Sequence, residues 1–291
     1  MRVLVTGAGG FAGGHMARRL AEAGHHVLAL TRRSPVEAPR DPGAAGRVDV
    51  VHADLADPAS LPGGYDAVVH TAATSIWHGI SVDQMITDNV TATQHLIRHA
   101  LKVRARSFVF FSSLSAFGNV SVDRLDEAVP TVDPDAYGAT KLLGEQALAD
   151  VADRLPSLSI RLPAVIGRGS KRNWPSEVLR KLRAGEDLNF FNPDTPFNNV
   201  VHEADLASLV ATGIRGDLAE ANMVVVGSSG ETTSGQVVSR IAEATGSKST
   251  IKSQIEERHA FLIDFSLATR LFGFHPMPVL SAIERLSGDK K

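Results

Sequence analysis

Tyr137 stands four positions before Lys141 in Tyr137-Gly138-Ala139-Thr140-Lys141, and it is one of only two tyrosines in the chain. On a helix, residues i and i+4 share a face, so this spacing sets a phenol beside an ammonium. A neighbouring cation favours phenolate and lowers the tyrosine pKa, which makes Tyr137 a candidate proton donor or acceptor near neutral pH. Lys141 is also placed to hold a ribose. Upstream, the apolar run Phe108–Phe111 ends in Ser112-Ser113. A hydroxyl at the carboxyl end of a central strand lies where open α/β sheets place ligands, and there it can polarise a carbonyl. Tyr-x-x-x-Lys alone recurs by chance; its weight comes from its surroundings.

The second constellation is Thr6-Gly7-Ala8-Gly9-Gly10-Phe11-Ala12-Gly13-Gly14, with the frame Gly7-x-x-Gly10-x-x-Gly13. It follows the β-branched run Arg2–Thr6 and opens a helix at Phe11 and Ala12. One glycine permits the tight turn, one lets backbone approach a pyrophosphate, and one lets helix pack on strand. The helix N-terminus then offers free N–H groups and a positive dipole end. An acid at the end of the next strand would hold the adenine ribose diol of NAD. The chain has Thr31-Arg32-Arg33 there. Two guanidinium groups suit a 2′-phosphate, so NADP(H) is favoured and NAD(H) stays open; solvated loop charge is the alternative reading of Arg32 and Arg33.

These residues need elements to position them. Strand patterns at Arg2–Thr6, His26–Leu30, Val48–His52, Ala67–Thr71 and Phe108–Ser112 alternate with helical patterns at Phe11–Ala23 and Asp83–Lys102. Further helices are predicted at Tyr137–Ala152, Pro175–Ala184, Ala204–Gly213 and Ser234–Ala244, with strands at Leu158–Arg161 and Met223–Val226. Arg32–Gly46, rich in Pro, Gly and charge, reads as a loop. Alternation of this kind implies a doubly wound parallel sheet, helices on both faces. Residues 1–165, with 197–226 returning, form the predicted nucleotide-binding domain. Residues 166–196 and 227–291 form a smaller predicted substrate lobe.

Composition excludes several function classes. Net charge is −2, from 30 basic and 32 acidic residues, so nothing electrostatic points to nucleic acid or an anionic membrane. There are no cysteines, which removes thiolate catalysis, disulfides and cysteine-ligated zinc. His25-His26 read as turn residues, with no acidic or histidine partner at metal spacing, and His95 and His99, which share a helix face, read as interface or surface residues. No apolar run reaches the roughly 18 residues of a membrane span, and the N-terminus enters a strand at once. The expectation is a cytoplasmic protein with no metal.

Together these residues resemble the extended short-chain dehydrogenase/reductases, of the NAD-dependent epimerase/dehydratase family. The resemblance rests on the glycine frame, Asp54-Leu55, His70-Thr71-Ala72-Ala73, Asn89-Val90, Ser112-Ser113-x-x-x-Phe117-Gly118, Tyr137-x-x-x-Lys141, Arg161-Leu162-Pro163 and Leu271-Phe272-Gly273-Phe274-His275-Pro276. It implies a Rossmann fold and a Ser-Tyr-Lys site. The family's spacing selects Ser113 as the catalytic hydroxyl, Tyr137 as acid/base and Lys141 as its partner. Asp54 and Leu55 would flank the adenine, Ala72 and Ala73 would line the cofactor, and Asn89 would belong to the proton-relay region. Pro163 would stand beside the nicotinamide. The bland alternatives are a helix-capping Asp54 and a packed helix Asn89.

Two departures narrow the reaction. Leu114 and Ser115 stand where family dehydratases carry Asp-Glu, which argues against a dehydratase. Asn198, in Phe197-Asn198-Asn199-Val200-Val201-His202, replaces the arginine that holds a sugar nucleotide's diphosphate. Asn198 and Trp77 are the candidate substrate contacts beside Ser113; Trp77 and His78 read equally as loop packing. Lys171, Arg172 and Arg180 are alternative sources of charge. The expected function is hydride transfer between a nicotinamide and a carbonyl or alcohol of a sugar or sugar derivative. A nucleotide-sugar epimerase with tightly bound NAD is the alternative, and a non-catalytic NADP sensor a further one. The resemblance also implies a homodimer built on the helices Asp83–Lys102 and Tyr137–Ala152.

Overall fold

Short runs dense in Val, Leu, Ile and Phe become strands covered on both faces. Val3, Leu4 and Val5, Val68 and Val69, and Phe108 and Val109 have no exposed surface. The computed structural model describes residues 1–36, 46–75, 79–216, 218, 222–257 and 259–288. In chain order the elements are β1 (Arg2–Thr6), α1 (Phe11–Glu22), β2 (His26–Thr31), β3 (Arg47–His52), β4 (Ala67–His70), α2 (Val82–Met85), α3 (Ala92–Lys102), β5 (Ser107–Ser113), β6 (Arg124–Leu125), α4 (Ala136–Ala149) and β7 (Ser157–Leu162). They continue with β8 (Ala164–Ile166), α5 (Trp174–Ala184), β9 (Leu188–Phe191), β10 (Val200–His202), α6 (Glu203–Gly213), β11 (Asn222–Val225), α7 (Ser234–Thr245), β12 (Ile251–Gln254), β13 (Leu262–Ile263), α8 (Ser266–Phe272) and α9 (Val279–Gly288).

The chain divides into two compact units. Unit 1 comprises Met1–Asn119, Pro130–Arg161 and Leu206–Val224. Its sheet has the order β11-β7-β5-β4-β1-β2-β3, and β3 through β5 pair in parallel. The order reverses beside β1, because the chain runs outward through β2 and β3 and then returns to β4 on the other side. Such a switch point opens a crevice at the carboxyl ends of the strands, which here are Thr6 and His70. Leu4, Leu28, Val68, Phe108 and Phe110 carry the core beneath it, closed by Leu96, Ile97 and Leu148.

Two helices differ from the simple periodic reading. The span Asp83–Lys102 is α2, a π turn at Ile86–Thr91, and α3. Thr87 and Thr93 each turn a hydroxyl back onto a carbonyl four residues earlier, which perturbs the ladder. Helix α4 begins at Asp135, whose carboxylate caps Gly138 N–H at 2.7 Å. A Cβ at Gly138 would fall on the Ser115 carbonyl, and one at Gly144 would fall on the Phe110 ring. The absence of side chains there lets α4 lie flat on β5 and on the 3-10 turn Leu114–Phe117.

Unit 2 comprises Val120–Val129, Leu162–Asp205 and Val225–Lys291. It holds three short parallel pairs, β8 with β10, β9 with β12, and β6 with β13. Val178, Leu182, Val237, Ile241, Val279 and Ile283 from α5, α7 and α9 form its core. A capping box at Thr233 and Gln236 starts α7. The division corrects the expected boundaries. Residues 197–205 lie in unit 2 because Val200–His202 pair with Ala164–Ile166, and 120–129 lie there because Leu125 pairs with Ile263.

Candidate active site

The glycine turn has the geometry its spacing implies. Gly7 adopts φ +67, where a side chain is strained, and its Cβ would meet Ala72 backbone at 2.8 Å. A Cβ at Gly13 would fall on the Gly7 carbonyl. Gly10 N–H donates to that carbonyl at 2.8 Å. Gly10 is the N-cap of α1 and carries no capping side chain. The first N–H groups of α1, beginning at Phe11 and Ala12, are thus left uncapped by the chain's own side chains. This backbone cradle at a switch point fits a dinucleotide pyrophosphate. Thr71 Oγ1 donates to the Thr6 carbonyl at 2.7 Å, and Ala72 N–H donates to Thr6 Oγ1 at 3.3 Å. The turn and the Ala72-Ala73 loop are therefore one assembly.

Arg32 and Arg33 are both exposed just beyond β2. Arg32 Nη1 lies 3.6 Å from Asp88 Oδ1. Asp54 is exposed; its Oδ1 accepts Ala56 N–H at 3.0 Å and so caps its own turn, while Leu55 is buried in the core. Trp77 and His78 lie outside the described residues.

The candidate chemistry sits where β5 meets α4. The two adjacent serines separate cleanly. Ser112 is buried and its Oγ donates to Glu145 Oε1. Ser113 Oγ accepts Ser115 N–H at 3.1 Å, which leaves its own proton to give. Tyr137 and Lys141 lie on the first turns of α4. Lys141 is buried, and its Nζ donates to the Phe111 carbonyl at 2.8 Å, 4.9 Å from the Phe110 ring centroid and 5.5 Å from that of Tyr137. Burial pushes its pKa down to about 7.

The phenol does not behave as the spacing alone suggests. Burial, with Asp135 adding to it, pushes Tyr137 up to about 12. Desolvation of the phenolate outweighs a lysine that is aimed at Phe111 and is itself only half charged near neutral pH. Tyr137 is therefore a neutral phenol, poised first as a proton donor.

Several supporting contacts escaped the sequence reading. Asn89 is buried; its Oδ1 accepts Thr74 N–H at 2.8 Å, and its Nδ2 donates to the Thr74 carbonyl at 2.8 Å and to Thr140 Oγ1 at 3.1 Å. Thr140 Oγ1 donates onward to the Tyr137 carbonyl at 2.7 Å. Asn89 thus ties the loop after β4 to the turn carrying Tyr137, a positioning role. Fully buried His70 lies 2.7 Å from Thr6 Oγ1 through Nδ1 and 2.9 Å from Thr93 Oγ1 through Nε2. Thr93 spends its proton on the Asn89 carbonyl, so Nε2–H donates and Nδ1 accepts. Burial, and then the Lys141 charge, push His70 down to about 3. Arg161 grips Glu145 with two bonds, 3.0 and 2.7 Å, and lies 4.2 Å over the Phe117 ring. A His at the end of a strand and an i+8 carboxylate after Tyr137 carry no spacing signal of their own.

In unit 2, Pro163 is half-buried between β7 and β8. Asn198 closes a ring with one residue: Nδ2 donates to the Ile263 carbonyl at 2.9 Å and Oδ1 accepts Ile263 N–H at 2.8 Å. Its amide is engaged in the unit's own architecture. Lys171 and Arg172 are exposed, and Arg180 is paired with Glu177 and Glu186. Two further histidines are engaged: His26 Nε2 lies 2.6 Å from Asp49, and His99 Nδ1 2.8 Å from Tyr65 OH. Among the described residues no group of three His, Asp or Glu is placed to hold a metal, and no helix is long and apolar enough to cross a membrane.

The family model described as the NAD dependent epimerase/dehydratase family matches residues 3–227. The chain belongs to this family. A UDP-glucose 4-epimerase from Corynebacterium glutamicum is 28% identical over 267 residues, covering 84% of this chain and 81% of that enzyme. A dTDP-4-dehydrorhamnose reductase from Mycobacterium tuberculosis is 30% identical over 228 residues, 74% of this chain and 67% of the reductase. Matches to other UDP-glucose 4-epimerases span as little as 45% of their length. The structure of a Bacillus cereus UDP-glucuronic acid 4-epimerase in complex with NAD superposes with a TM-score of 0.83 at 20% identity, covering 99% of this chain and 98% of that one; at that identity the likeness speaks for the fold. This epimerase/dehydratase-family chain is an enzyme of the extended short-chain dehydrogenase/reductase type.

Proposed function

We propose that the enzyme transfers a hydride between a nicotinamide dinucleotide and a carbonyl or alcohol of a sugar or sugar derivative. The observation that carries this reading is the convergence, in unit 1, of an uncapped glycine cradle with Ser113, Tyr137 and a buried Lys141. The bound dinucleotide supplies or accepts the hydride. Gly7, Gly10, Phe11, Ala12 and Gly13 would hold its pyrophosphate, with Ala72 and Ala73 beside it. Asp54 and Leu55 would border the adenine. Ser113 Oγ–H donates to the substrate oxygen and polarises its carbon. Tyr137 gives the proton that oxygen needs on reduction and takes it back on oxidation. Lys141 holds a ribose and tunes the phenol. Asn89 acts through Thr140 as a positioning residue.

NADP(H) is the favoured dinucleotide, because Arg32 and Arg33 stand exposed where a 2′-phosphate would lie. NAD(H) is the second reading, supported by the family description and by the carboxylate of Asp88 beside Arg32. Epimerisation is the second reading of the chemistry, supported by the likeness to UDP-glucose 4-epimerases. It uses the same Ser113, Tyr137 and Lys141 without net redox. The working form is a cytoplasmic homodimer through α3 and α4, where Leu143 is 53% exposed. The test is the nucleotide content of freshly purified protein, followed by titration with NADPH and NADH. Empty protein that binds NADPH more tightly supports the reductase. Stoichiometric retained NAD overturns the use made of Arg32 and Arg33 and favours the epimerase.

A further inference from the structure

The strand order β4-β1-β2 sets the glycine turn between the ends of β2 and β4. Arg32 leaves the sheet just after β2. Asp88 sits in the π turn that follows β4. Their 3.6 Å ion pair therefore spans the end of β1, above the cradle. The two partners differ in freedom. The Arg32 side chain is 58% exposed and the Asp88 side chain 13%. The carboxylate is fixed from two sides: Thr74 Oγ1 donates to Oδ2 at 2.7 Å and Gln84 Nε2 donates to Oδ1 at 3.0 Å. Asp88 is the fixture and Arg32 the arm.

We propose that Asp88 is a specificity-determining residue that masks Arg32 and holds down the preference for NADP(H) over NAD(H). The inference rests on the reading that Arg32 faces the adenosine 2′ position. A 2′-phosphate is held best by a guanidinium free to give two parallel N–H bonds. Arg32 must leave Asp88 to do this, or share itself between two anions that repel each other. A 2′-hydroxyl makes no such demand. The carboxylate therefore weakens binding of the phosphorylated dinucleotide and leaves the other unaffected.

The test compares wild type, Asp88→Asn, Arg32→Ala and the double variant, each titrated with NADPH and NADH by calorimetry. Asparagine keeps the shape of the side chain and an oxygen for Thr74. Asp88→Ser, which also keeps an acceptor there, is the second variant should the first melt early. The NADPH Kd is expected to fall about two- to fivefold in Asp88→Asn, the range of a solvent-accessible ion pair, with the NADH Kd unchanged. In the Arg32→Ala background the same substitution is expected to change neither. Weaker NADPH binding in Asp88→Asn would overturn the proposal, since the carboxylate would then be aiming the guanidinium. An unchanged ratio would also overturn it, as would an equal gain without Arg32, which marks a general charge effect. Arg32→Ala that leaves NADPH affinity intact overturns the underlying reading of Arg32 as well; Arg32→Ala that weakens NADPH while Asp88→Asn does nothing overturns the masking alone.

Discussion

Replacing Lys141 by methionine should abolish turnover and yet stabilise the protein. Lys141 is fully enclosed, and burial moves its pKa from 10.5 to about 7. At about 1.4 kcal/mol for each pH unit, keeping an ammonium there costs the folded state about 5 kcal/mol. The bond to the Phe111 carbonyl and the Phe110 face are lost with the ammonium. They return about 1–3 kcal/mol of that. The variant is therefore expected to gain about 2–4 kcal/mol at about pH 6. The gain has a defined pH dependence. Between about pH 7 and 10.5 the unfolded chain binds a proton at this lysine that the folded chain does not, so wild-type stability rises with pH. The methionine variant lacks this rise, and its advantage shrinks across the same window. Urea melts of the ligand-free proteins at about pH 6, 7.5 and 9 measure it. A variant less stable than wild type at the lowest pH, or an advantage that does not move with pH, would refute the reasoning about desolvation.

Asn89→Ala should cost about 2–4 kcal/mol, because it orphans both backbone groups of buried Thr74. Denaturant midpoints check the cost, and a fall in kcat larger than the change in KM checks the positioning of Tyr137. Gly13→Ala forces a Cβ against the Gly7 carbonyl and Thr71 Oγ1; calorimetry should show lost dinucleotide binding, and melts a destabilisation of about 1–3 kcal/mol. Leu143→Glu puts a charge on the exposed apolar position of α4. Sedimentation should show a monomer whose ligand-free melting is unchanged, and an unaltered dimer would remove α4 from the interface.

The Rossmann half was legible because its signals are local. Gly7-x-x-Gly10-x-x-Gly13 and Tyr137-x-x-x-Lys141 each lie within one turn or helix, where spacing fixes geometry. The strands of unit 1 are apolar runs of 4–7 residues, long enough to stand out. The helices α5 and α7 of unit 2 were legible too, but its strands were not, for the opposite reason. Its strands are 2–4 residues long and pair across large sequence distances, as Leu125 does with Ile263. No periodicity develops over such a span. The same holds within the site. Asn89 reaches Thr74 and Thr140, His70 reaches Thr6 and Thr93, and Glu145 reaches Arg161 and Ser112. Each bond joins residues from separate elements. The upward push on Tyr137 was hidden too, since spacing shows the neighbouring lysine and not the burial that outweighs it.

The central claim is that Tyr137 moves the proton that accompanies hydride transfer. The most direct measurement follows the nicotinamide absorbance in single turnover on wild type and Tyr137→Phe, with NADPH and NADH and a panel of keto-sugars and nucleotide sugars. The account predicts turnover by wild type and a fall of about 10²–10⁴-fold in the phenylalanine variant, with dinucleotide affinity retained. A phenylalanine variant that reacts as fast as wild type would contradict it.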